Sequence, residues 1–373
     1  MKFKNHSNKI IFVIILLFAI IGMNYIINRN QSTGNINKSN KDFSDKNKKF
    51  LKYDYEISNN INVLDIMSND KLVVEDSNKL KLYNIEKKKY EKNFVNIHEG
   101  FEVKDALIFD KGIIWVENKI QPNIITKVYI KYFSSNKTDL LDESTSEILP
   151  SMSISSKYLT YYIINENNIK IKSVNLKKNI QETIATYPLK NGENINYVSI
   201  PNTNDKYIVW SYLTNGVSNI LKYDINTKKL EHLKNTEHLK NPVIKNNRIV
   251  AIKKRDIHDS KLAVTYASDY IVEYNFITKQ WTKFSDGKID NYIDNDKECI
   301  TALSTDKGVL YWLSTLSDGK YVYNFSNDKF TSLINNGYKN KIDTSIKIVK
   351  NNIIYYEAND YNNNISKFIY NVR

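Results

Sequence analysis

The chain has 373 residues, with 54 Lys+Arg against 41 Asp+Glu for a formal charge of +13, and every cation except Arg29, Arg248, Arg255 and Arg373 is lysine. A single cysteine, Cys299, excludes an internal disulfide framework and any multi-cysteine metal or iron–sulfur site. Five histidines leave little material for His-based catalysis, and 10 Gly with 5 Pro exclude collagen-like and Pro-rich linker architectures.

The first element follows a nine-residue tail, 1–9, that carries Lys2, Lys4 and Lys9. Residues 10–27 (IIFVIILLFAIIGMNYII) are apolar apart from Asn24 and Tyr25. Eighteen helical residues span about 27 Å, close to the hydrocarbon thickness of a bilayer. The run is expected to be a transmembrane signal-anchor. A cleaved signal peptide is the alternative, but no A-x-A-like site follows, and no cysteine stands near position 22 for a lipoprotein signal. Flanking lysines on both sides leave the positive-inside rule nearly silent. A short tail before a long C-terminal part favours N-in, C-out, placing the rest of the chain on the extracytoplasmic side of a cell membrane. Residues 28–49 hold only Ile36 and Phe43 as large apolar residues among Asn, Ser and Lys, and read as a flexible polar stalk.

From residue 50 to 373 a pattern recurs. A turn followed by an apolar strand starts at Asp70, Asp110, Ser156, Asp205, Asn246, Asp306 and Lys350, at intervals of 40, 46, 49, 41, 60 and 44 residues. Each is followed by an alternating strand such as LKLYNI (80–85), VYIKYF (128–133) or ILKYDI (220–225), usually then by a polar turn and a short strand. A further apolar strand precedes each unit, as in INYVSI (195–200). Four-stranded units at this spacing predict an all-β, seven-bladed β-propeller. The last unit lacks its outermost strand, while LKYDYEI (51–57) is an orphan at the start. Pairing Tyr53–Ile57 with Lys367–Val372 would close the ring and remove two exposed edges.

The unit DKYIVWSYLTNGVSNILKYDINTKKLEHL (205–233) resembles blades of bacterial TolB-like propellers. DKGVLYW (306–312) and NNIIYY (351–356) are similar to blades of the YWTD family of lipoprotein receptors and their bacterial relatives. The resemblance covers roughly residues 50–373 and implies fold and a binding role. It carries no functional residue across, because fold alone does not fix function.

Three arginines in the folded region are too few for a sialidase-type carboxylate clamp, and no G-x-S-x-G elbow is present. Asp294, Asp296 and Glu298 alternate like calcium ligands but lack the D-x-D-x-D-G continuation, so they read as a solvated acidic loop. His232 and His238 lie in a local duplication (EHLKN-T-EHLK) whose spacing suits no zinc pair. No cofactor or metal is expected. Lysines spread over strands and turns, with scarce arginine, argue against a nucleic-acid partner. The outlying 60-residue interval points to an insertion, Lys254 to Asp269, carrying Lys254, Arg255, Asp256, His258 and Asp259. The next connection carries Asp290, Asp294, Asp296 and Glu298. The two are expected to meet on one rim as a ligand-binding lobe. The function expected is a membrane-anchored binding or scaffold module for a protein or polysaccharide. The alternative is a propeller lyase or hydrolase with carboxylates in the central channel, for which Asp65 is the acid clearly inside an inner strand.

Overall fold

The structure, a computed structural model, describes residues 55–371 apart from Asn69, Asn136, Glu166, Asn246 and 190–197, 215–216, 260–263, 284–299, 307–308, 315–319, 325–328, 333–340, 351–352 and 361–364. For 214, 254–270, 300–349, 354, 356, 358–360, 366, 368 and 370–371 the backbone alone is described where these residues are described at all. The described residues are all-β. No helix among them is long and apolar enough to cross a membrane, and residues 10–27 lie outside them.

The strands fall into antiparallel sheets of four, and the described residues form seven of them. The first holds β2 (Asn62–Ser68), β3 (Lys71–Glu75), β4 (Lys79–Asn84) and β5 (Lys89–Asn96). Then come β6 (Glu102–Phe109), β7 (Gly112–Lys119), β8 (Ile125–Tyr132) and β9 (Thr138–Ser144), followed by β10 (Met152–Ile154), β11 (Tyr158–Asn165), β12 (Asn168–Asn175) and β13 (Ile180–Pro188). The fourth sheet is β14 (Asn202–Thr203), β15 (Tyr207–Thr214), β16 (Val217–Asp224) and β17 (Lys229–His232). The fifth is β18 (Leu239–Lys245), β19 (Arg248–Asp259), β20 (Val264–Asn275) and β21 (Gln280–Lys283). The sixth is β22 (Ile300–Asp306), β23 (Val309–Ser314), β24 (Lys320–Asn324) and β25 (Lys329–Ser332). In the last, β26 (Lys341–Lys350), β27 (Ile353–Asp360) and β28 (Ile365–Asn371) are completed by β1 (Tyr55–Ile57), which pairs Tyr55 with Ile369 and Ile57 with Lys367. The expected pairing of the two ends is therefore present over the described residues. The first strand of each sheet touches that of the next, and β26 returns to β2.

The second strands read as continuous apolar runs because both of their faces are covered. In β7, Ile113 and Trp115 pack toward the first sheet against Val73, Leu80 and Phe94. Their neighbours Ile114 and Val116 pack the other way, against Leu159, Tyr161 and Val174 of the third. A strand sandwiched between two sheets loses the polar alternation of a half-exposed one. Gly112 opens this strand where a Cβ would stand 2.4 Å from the Lys131 carbonyl oxygen, which accounts for the Asp110-x-Gly112 motif.

The recurring polar turns are also explained. The side-chain oxygens of Asn84, Asn175, Asp224 and Asn275 accept from backbone N–H groups two or three residues ahead, at 2.8–3.1 Å. Four residues beyond each, Lys88, Asn179, Lys228 and Lys279 take φ of 50–57°. An Asx turn offsets the strain of a left-handed residue that is not glycine.

Two expectations change in detail. Of the strand expected at 195–200, residues 195–197 lie outside the described residues; the remainder forms an isolated bridge, Val198 to Tyr212, and the first strand of this sheet is the two-residue β14. Pro201 stands between them, and a proline cannot donate to the ladder. The insertion at 254–269 is not a loop, because β19 and β20 run through it in register from Lys254–Asp269 to Asp259–Val264. The duplicated EHL triplets likewise have a packing role, with Leu233 and Leu239 both buried.

Candidate functional site

In an antiparallel sheet traversed in order, the first and third turns lie at one end, while the middle hairpin and the exit lie at the other. Contacts between neighbours keep these ends aligned: Tyr55 donates to Glu86, Tyr132 to the Leu176 carbonyl, and Ser155 and Ser156 to Asp205. The ring thus has a turn face and a connection face.

The described part of the site expected from sequence belongs to the connection face. The backbone of Lys254, Arg255, Asp256, His258 and Asp259 forms the distal half of β19, opposite Val264–Asp269. Asp290, Asp294, Asp296 and Glu298 lie outside the described residues, as does Cys299.

A second polar group on the connection face escaped the sequence reading. Glu117, fully buried, accepts from the Trp115 indole N–H at 2.8 Å and lies 2.7 Å from Nδ1 of His98. A carboxylate only accepts, so the imidazole donates through Nδ1 and leaves Nε2 at the surface. His98 is 54% exposed and stacks on Tyr129 at 5.1 Å, which stacks in turn on Trp115 at 5.3 Å. Burial, with the charges of Glu117 and Glu143, pushes the Tyr129 hydroxyl up to about 12, so it stays protonated. Phe101 sits edge-on to His98 beneath the ammonium groups of Lys119 and Lys127. The arrangement offers one oriented imidazole on a rigid aromatic stack. The signal for it was an acid directly following the apolar run GIIWV in β7.

A third group lies on the innermost strands. Asp65 accepts from the N–H groups of Ile66 at 2.7 Å and Ile108 at 2.6 Å. Lys350 bridges Asp65 to the Ile108 carbonyl. Inner strands have an unpaired edge, and these side chains satisfy its backbone groups across β26, β2 and β6. Asn202 does the same further round, accepting from Ile244 N–H at 2.8 Å. Burial pushes the Asp65 carboxyl up, against the opposing charge of Lys350. Asp105 holds the matching place in β6, and burial, then the charge of Asp65, pushes it up to about 7. The period of 40 residues between Asp65 and Asp105 was the signal for this pair. Among the described residues, no group of three or more His, Cys, Asp or Glu side chains is placed to hold a metal ion.

No family model and no curated protein matches the chain. Solved structures do. The β-propeller domain of the Trilobed protease from Pyrococcus furiosus is similar at a TM-score of 0.52 and 10% identity, over 74% of this chain and 83% of that one. An oligogalacturonate lyase in complex with manganese is similar at 0.51 and 8%, over 84% and 88%. TolB from Acinetobacter baumannii is matched at 0.43 and 14%, over 82% and 78%. The first two likenesses, with the four-stranded sheets, show a β-propeller fold.

Proposed function

We propose that the chain is a seven-bladed propeller held to a membrane by residues 10–27, displayed on the extracytoplasmic side, and working as a binding or scaffold module for a protein or polysaccharide. The observation that supports this reading is the β19–β20 hairpin. Its strands have 12 residues each, against 5–8 in the second and third strands of the other sheets. One hairpin that outgrows its counterparts on an otherwise regular scaffold is where recognition is commonly carried. Asp65, Lys350 and Asn202 on the inner strands, by contrast, are engaged in holding blade to blade. Deleting 256–267 should leave the far-UV circular dichroism and Tm unchanged while abolishing capture of envelope protein or cell-wall polysaccharide by the full chain. Capture at the wild-type level would overturn the proposal.

Asp105 favours a second reading, a lyase or hydrolase. A carboxyl titrating near neutrality beside another carboxyl is an arrangement used in acid–base catalysis. The folded value of about 7 lies above the ordinary 3.8, so the native state binds the proton more tightly. Stability on this account falls as pH rises from about 4 to about 7. Asp105→Asn should therefore stabilise the protein by about 1–3 kcal/mol at pH 8, with little effect near pH 4. If the variant also abolishes turnover of oligosaccharide or peptide substrates shown by the wild type, the enzyme reading stands. Equal turnover removes it.

A further inference from the structure

The two faces differ in charge. In the described turns of the turn face stand ten lysines, including the pairs 87–88 and 177–178, against Asp70, Glu86, Asp110 and Asp205. The described connections of the opposite face hold Lys234 alone, against Asp76, Glu99, Glu147 and Glu237. Two of those four acids, Asp70 and Asp205, are withdrawn, while Glu86 and Asp110 are exposed. Asp205 is half-buried, taking hydrogen bonds from Ser155, Ser156 and the Lys157 N–H, and Asp70 receives Ser68 and Asn84. The lysines, by contrast, project outward: Lys87, Lys88, Lys177, Lys178, Lys206 and Lys228 are all exposed. Ile277, 91% exposed, stands among them at the tip of the β20–β21 turn. The N-terminal end of β1 also opens here, since Tyr55 reaches Glu86 in the β4–β5 turn.

From this geometry we infer that the turn face docks on an anionic lipid surface, its lysines over the headgroups and Ile277 dipping between them. The inference rests on the membrane-anchored reading for its choice of partner. Three features favour a bilayer. The described cations are spread over the turns of five successive sheets rather than gathered in a groove, which suits a flat, laterally uniform partner. They are lysines, point charges that need no bidentate geometry. The first described strand also starts on this face, at Tyr55. Each lysine near such a surface contributes a modest, salt-sensitive attraction, and many must act together.

The test uses the full chain reconstituted in vesicles of phosphatidylcholine alone or mixed with phosphatidylglycerol. A membrane-impermeant amine reagent followed by peptide mass spectrometry reads each lysine. Acylation of Lys87, Lys177, Lys178 and Lys206 should slow by about fivefold in the anionic vesicles and recover at high salt. Lys234, on the opposite face, should not change. The triple change Lys177→Glu, Lys178→Glu, Lys206→Glu should remove the protection at the remaining turn lysines, and the matching Lys→Arg variant should keep it. Equal reactivity in both vesicles overturns the inference. So does stronger protection by a soluble polyanion such as heparin than by the anionic bilayer. Alkaline washing reports separately on the anchor. If the chain is washed off, flotation of added chain with preformed anionic vesicles still decides the docking.

Discussion

The two faces of the ring are built on opposite plans. On the turn face one device repeats: an Asx side chain closes the turn, a residue at φ near 50–57° follows, and lysines fill the exposed positions. On the connection face the described junctions differ from one another. One junction buries Glu117 under His98, another packs Leu233 and Leu239, and one hairpin extends to 12-residue strands. A repeated local solution makes a uniform surface suited to a uniform partner. Individual solutions make a surface that can discriminate. Between the faces, the inner strands are joined by side chains far apart in sequence.

That contrast can be broken by substitution. The largest effect is expected at the axis, where Lys350→Ala leaves the buried Asp65 without its cation. This should cost about 3–5 kcal/mol in urea unfolding at neutral pH, and less in acid as Asp65 takes up a proton. A loss under about 1 kcal/mol would mean the contact does not hold the closure. On the connection face, Glu117→Ala strands the buried Trp115 N–H and opens a void, for a loss of about 2–3 kcal/mol. The His98 ring should lose its fixed orientation in NMR spectra. On the turn face, Asp224→Ala removes a single Asx acceptor from a repeated design and should cost only about 0.5–1 kcal/mol. A larger loss there than at Glu117 would reverse the proposed difference between the faces.

The strands and turns were legible in the sequence because each is a local event. Asn84, Asn175, Asp224 and Asn275 act on neighbours two or three residues away, so a fixed motif announces them. The runs at Ile113–Val116 and Ile208–Trp210 announce strands covered on both sides. The site was less legible. Glu117 looks like one more charge until Trp115 and His98 are placed beside it. The hairpin at 254–269 reads as a loop because Lys254, Arg255, Asp256, His258 and Asp259 lack the apolar run of the other second strands, and cross-strand pairing rather than propensity makes it a ladder. Pro201 interrupted a strand that composition alone would extend.

Lysines spread through the sequence looked like a diffuse surface, since of the +13 charge residues 1–50 hold +7 and the rest only +6. Chain order alone determined that a turn rich in lysine would recur every 40 to 60 residues, because each turn is set by its own few side chains. Only the closed ring decided that those turns share one face and that Lys350 meets Asp65, 285 residues away. Charge adds up in space, and where the turns lie in space is fixed by sheet packing rather than by any one of them.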